Sequence, residues 1–152
     1  MKVFEKFKKG QEVFVLSQNG LLKGEYVRLN TPNSYDIDKL VGYRDKYGTA
    51  HTYAEIEANR VFSSVEAAKR YLLYGVREEL PTVATHESKF DIDDAVYDVH
   101  GDKGIRQLRV ESVRWRLGEW EYHTNAGGCA YYLERGEYFA TREEAVEAYL
   151  NR

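Results

Sequence analysis

The sequence predicts an α+β protein built by tandem duplication of one β-β-β-β-α unit, each copy a small antiparallel sheet capped by a short helix. Three observations carry this. The phrase "FSSVEAAKRYLL" at 62–73 returns as "FATREEAVEAYL" at 139–150, so a shift of 77 residues lays Phe62 on Phe139, Ser64 on Thr141, Glu66 on Glu143, Ala68 on Ala145 and Leu73 on Leu150, with Glu57 on Glu134 upstream. At the front of each half a shift of 83 lays Phe7 on Phe90, Val13 on Val96, Phe14 on Tyr97, Leu16 on Val99, Leu22 on Ile105 and Val27 on Val110. Two ordered blocks of apolar and capping residues are the mark of a repeat. Lastly, 13 tyrosines and 6 phenylalanines against one methionine favour the pleated, half-buried surface of a sheet.

Taken in order, "MKVFEKFKKGQ" (1–11) reads as a lead-in whose Phe4 and Phe7 pack on the first unit. "EVFVLS" (12–17), "LLKGEYVRLN" (21–30), "SYDIDKLVGYRD" (34–45) and "TAHTYAEIE" (49–57) follow as strands, separated by Gly, Asn or Pro signals. The helix after them starts on a capping signal, with Ser63 and Glu66 as the reciprocal pair, and carries Val65, Ala68, Tyr71 and Leu72 as its apolar stripe. Residues 77–88, with Pro81 and little periodicity, form a linker between a first unit at 1–76 and a second at 89–152. There "AVYDVH" (95–100), "IRQLRVESVRWRL" (105–117), "EWEYHT" (119–124) and "CAYYLE" (129–134) repeat the strands, and Thr141 with Glu144 opens the second helix.

Four short antiparallel strands and a capping helix in so few residues resemble the small-barrel class, Src-homology-3-like, Tudor-like or KOW-like, which implies a bent sheet that is closed or partly open over one apolar core. The ending F-x-[ST]-x-E-E-A followed by a short helix also resembles that of many small proteins from bacteriophages and mobile elements. That resemblance implies such an origin and names no activity.

Composition narrows the function classes. The lone Cys129 excludes an internal disulfide and a multi-cysteine zinc site, and no apolar run looks like a signal peptide or membrane span, so a soluble, cytoplasmic protein without membrane contact is expected. Net charge is −3, with residues 1–76 at +3 and 77–152 at −6, so bulk attraction to a phosphate backbone is weak. The phosphate-binding, nucleophile-elbow and metalloprotease signatures are all missing, and His51, His86, His100 and His123 stand apart. Cys129 beside His100 or His123 reads as a strand cysteine rather than a nucleophile. Asp98, His100 and Asp102, alternating along a strand, read as a wet face rather than a metal site. No catalytic residue, cofactor or metal is assigned, and an enzyme is not expected.

What remains is surface chemistry. In "KGIRQLRVESVRWRLGEWEYH" (103–123), Arg106, Arg114 and Arg116 share one parity of a strand, with Trp115, Trp120 and Tyr122 close by around a turn at Leu117 and Gly118. Tyr43 and Tyr47, with Arg44 and Lys46, flank the turn "YRDKYG" and form an amphipathic rim; Tyr and Arg are residues that protein interfaces favour. The expectation is therefore a non-catalytic interaction protein that binds a protein partner through aromatic and arginine-rich faces. The alternative is a nucleic-acid-binding accessory protein using the same arginines and the N-terminal lysines.

Overall fold

The computed structural model describes residues 1–126 and 138–152. They form an α+β fold of mostly antiparallel sheets with two α-helices. The chain separates into two compact units, one of Val3–His86 with Arg116–Gly118 and one of Met1–Lys2, Glu87–Trp115 and Glu119–Arg152.

In the first unit the lead-in is itself a strand, β1 (Lys2–Glu5), and this corrects the sequence reading. Val3 and Phe7 are buried, whereas Phe4 is 52% exposed. β2 (Glu12–Ser17) buries Val13 and Val15 completely and turns through two residues into β3 (Gly20–Thr31). β3 is irregular against β4 (Ser34–Asp38) between Tyr26 and Arg28 and again between Leu29 and Thr31. These irregularities keep both Tyr26 and Leu29 inside despite their odd spacing.

β4 stops at Asp38, where Lys39 takes φ 54°, and β5 (Ala54–Glu57) starts only at Ala54; the predicted strands at 34–45 and 49–57 are thus cut short by a loop at 39–53. A 3-10 turn leads to β6 (Val61–Phe62), which pairs with β2 so that Phe14 faces Phe62. The order is β5-β4-β3-β2-β6, an open sheet.

An aromatic trio packs on one side of it: Phe7, Tyr26 and Tyr35 have centroids 5.5 Å apart in every pairing. On the other side Asp36 is 2% exposed, its carboxylate accepting from Arg28 Nε at 2.6 Å and Asn30 Nδ2 at 2.7 Å, so the buried charge is paired.

Helix α1 (Val65–Tyr74) is capped by Ser64, whose Oγ accepts from the Ala67 N–H at 3.0 Å. Ser63, the expected cap, instead donates its N–H and Oγ to the Glu78 carboxylate at 2.6 Å each. Phe62 is buried against Tyr71 at 5.4 Å. β7 (Ala84–Glu87) pairs with β1, so the expected linker ends in a strand.

In the second unit β8 (Ala95–Val99) pairs with β9 (Ile105–Arg116), and β10 (Glu119–Thr124) lies on the other side of β9. A 3-10 turn at Gly101–Lys103 follows β8, so His100 and Asp102 leave the strand and share no face with Asp98. β9 buries Leu108 and Val110, then Val113 and Trp115: its inward phase flips between Val110 and Val113. The core gathers Phe90, Val96, Leu108, Val110, Val113 and Tyr138. Tyr97 bridges to Phe139, and helix α2 (Arg142–Leu150), capped by Thr141 Oγ1 on the Glu144 N–H at 3.2 Å, packs on β8 through a buried Ala145. The expected strand at 129–134 and Cys129 lie outside the described residues.

Candidate interaction surface

The loop at 39–53 is built around one carboxylate. Asp45 accepts from the Tyr47 and Thr49 N–H groups at 2.9 Å each and from His51 Nε2 at 2.8 Å. The His51 hydrogen bond first, and the backbone donors after it, hold the Asp45 carboxyl below its usual range. Around that centre the backbone closes on itself: Asp45 N–H donates to Thr49 O at 2.9 Å, Gly48 N–H to Asp45 O at 3.0 Å and His51 N–H to Tyr43 O at 3.1 Å. Arg44 Nη1 reaches Gly48 O at 2.8 Å, and Asn19 Nδ2 ties the loop to the β2–β3 turn through Gly42 O at 3.2 Å.

The loop is therefore held by its own hydrogen bonds, with Leu40 buried beneath it and two apolar side chains left in water. Val41 and Tyr47 are each 81% exposed. Lys46 Nζ sits 5.1 Å from the Tyr47 ring centroid, whereas Tyr43 is half-buried with its ring 6.5 Å from that of His51. The loop thus presents an aromatic ring, an aliphatic residue and two cations to solvent.

The stretch at 103–123 is arranged differently. Trp115 is buried and meets Trp120 edge-to-face at 5.3 Å. Tyr122 is half-buried, its hydroxyl accepting from the Lys89 N–H at 2.8 Å and its ring 5.2 Å from Phe90. These aromatic side chains pack into their own unit instead of forming an outer face with the arginines, because β9 changes phase midway. Arg106 is bidentate to Asp98 at 3.1 and 2.7 Å, and Arg114 pairs with Glu121 at 3.4 Å; Arg116 is exposed. Cross-strand pairing of this kind is ordinary on a wet sheet face.

One feature of the first unit escaped the sequence reading. Arg77, placed in the linker, lays its guanidinium over the rings of Tyr71 at 4.7 Å and Phe62 at 5.6 Å and donates to Asn59 O. It borders an open groove of about 610 Å³ shared with Lys6, Phe7, Tyr35 and Val61. Only its position two residues after the helix cap Gly75 hinted at this. Among the described residues no three His, Cys, Asp or Glu side chains are grouped to hold a metal ion, and no described helix is long and apolar enough to cross a membrane.

No family model matches the sequence, and no curated protein and no solved structure matches it.

Proposed function

We propose that this chain is a non-catalytic interaction protein of the cytoplasm that binds a protein partner through the loop at 39–53, with Tyr47 and Val41 as anchors and Arg44 and Lys46 as polar rim. The observation that carries the reading is the coincidence of order and exposure: a loop held by the Asp45 hydrogen bonds keeps two apolar side chains 81% exposed. Such a loop loses little conformational entropy on binding. A double variant, Val41→Ser with Tyr47→Ser, leaves those hydrogen bonds intact. Its crosslinked partners in host extract should drop by about tenfold or more relative to the parent chain, the loss expected of two anchor residues. An unchanged partner set would overturn the assignment of the loop.

The nucleic-acid reading has narrower support, in Arg116 and the exposed Lys2, Lys8 and Lys9. It requires binding to random-sequence DNA or RNA that falls steeply between low and moderate salt, since bound cations release counterions.

We also read the chain as a tandem duplication. Support comes from equivalent geometry inside each unit. Phe14 pairs with Phe62 as Tyr97 bridges to Phe139, and the two helix caps, Ser64 and Thr141, are 77 residues apart. Gly10 and Asp93, 83 apart, both have positive φ, at 86° and 74°. Each donates its N–H at 2.8 Å, to Tyr26 O and Val110 O respectively. The ladders align Tyr26 with Val110 rather than Val27 with Val110, because five residues lie between the paired Val99 and Ile105 and four between the equivalent pair Leu16 and Leu21.

A further inference from the structure

Both helices leave large apolar side chains in water, most of them toward their C-terminal ends. On α1 Val65, Leu72, Leu73 and Tyr74 are 50, 66, 61 and 72% exposed; on α2 Val146, Tyr149 and Leu150 are 37, 45 and 69% exposed. Each helix fully buries a single residue, Ala68 or Ala145, so it touches its sheet along a narrow line and keeps a second apolar side. Contiguous apolar surface of this sort marks an interaction site more often than chance.

The two helices differ in the charge that borders this surface. Along one side of α1 run Val65, Lys69 and Leu72, with Arg70 one turn before Leu73 and Tyr74 and Glu66 one turn before Arg70; Glu66, Lys69 and Arg70 are all exposed. Along α2 run Glu143, Val146, Glu147 and Leu150. Its one cation, Arg142, is turned onto its own unit, 5.5 Å over the Tyr97 ring and 3.4 Å from Ile105 O. The α1 surface is thus apolar with Lys69 and Arg70 outnumbering Glu66 at its border, and the α2 surface is apolar with an acidic border.

We propose that α1 of one copy docks on α2 of a second copy of this chain, apolar ends together, with Lys69 and Arg70 facing Glu143 and Glu147. Because each copy carries both surfaces, it can offer an α1 contact and an α2 contact to other copies. Two small contacts with charged borders give weak, salt-sensitive association.

Sedimentation equilibrium of the full chain tests this. The parent chain should associate below about 0.5 mM, more weakly as salt rises. The variants Lys69→Glu/Arg70→Glu and Glu143→Lys/Glu147→Lys should each associate at least about tenfold more weakly, since both of their contacts set like charges together. An equimolar mixture of the two restores opposite charges at both contacts and should return to within about threefold of the parent. Glu147→Lys alone, away from the helix N-terminus, separates loss of association from loss of the helix, which circular dichroism follows. A parent chain that stays monomeric, variants that associate as the parent does, or a mixture no tighter than its components would each overturn the proposal.

Discussion

Tyr26 concentrates the chemistry of the first unit in one side chain. It is 1% exposed, its hydroxyl donates to Glu5 Oε1 at 2.9 Å, and its ring touches Phe7 and Tyr35. Burial first, and the Glu5 hydrogen bond and charge after it, push its ionisation far above the ordinary phenol range; burial also raises Tyr35. A folded-state pKa above the unfolded value of about 10 means the folded chain holds these protons more tightly. The stability this supplies is complete below that pH and is lost as pH climbs past it. Urea denaturation should therefore show stability falling steeply between about pH 10 and 11. Tyr26→Phe should cost about 1 kcal/mol at neutral pH, since Glu5 Oε1 keeps the Leu29 N–H, and should flatten the alkaline fall. Equal alkaline slopes in parent and variant would assign that fall to other groups.

Among the elements, Gly24 in β3 sets the closeness of the sheet to the chain that follows it. A methyl group there would stand 2.5 Å from Ile37 Cγ2, 2.9 Å from Leu40 Cδ2 and 3.2 Å from Asp38 O. Ile37 and Leu40 are fully buried and the third neighbour is backbone, so none of them has room to retreat. Gly24→Ala should destabilise by about 1–3 kcal/mol in urea unfolding, and a smaller loss would mean that the β3–β4 hairpin relaxes easily. The same element shows what the sequence can reveal. Alternation places β2 and β9 because their pairing is local. The change of parity from Leu108 and Val110 to Val113 and Trp115 is written in β9, but alternation does not say that both pairs face inward, and so Trp115 reads as a surface residue. β1 looked like a lead-in because its partner β7 lies some eighty residues away, and Ser63 looked like a cap because nothing local shows that Glu78 takes it. Tyr43 and Tyr47 were legible as a rim from the turn chemistry of "YRDKYG"; the Asp45 hydrogen bonds that order the rim depend on His51 and Thr49 closing back on it, which spacing does not encode.

At the scale of the whole molecule, the duplication we propose makes a demand on backbone conformation that sequence identity hides. Gly10 is glycine and Asp93 is not, yet both are held at positive φ by N–H groups aimed at the same rung of the following strand, Tyr26 in one unit and Val110 in the other. A β-carbon at Gly10 would meet nothing within 4 Å, so any loss in Gly10→Ala is conformational and not steric. Aspartate tolerates the left-handed region better than alanine because its short polar side chain bonds locally. Gly10→Ala and Asp93→Ala should then each destabilise their own unit by about 1 kcal/mol, while Asp93→Gly should be neutral or stabilising. Trp115 and Trp120 are the only tryptophans, so fluorescence in urea reports the second unit, and amide exchange along β3 reports the first. If Asp93→Ala left the fluorescence transition where it was, the left-handed turn would be incidental to that unit. The equivalence of Gly10 with Asp93, and with it the best geometric argument for a common ancestor of the two halves, would fail.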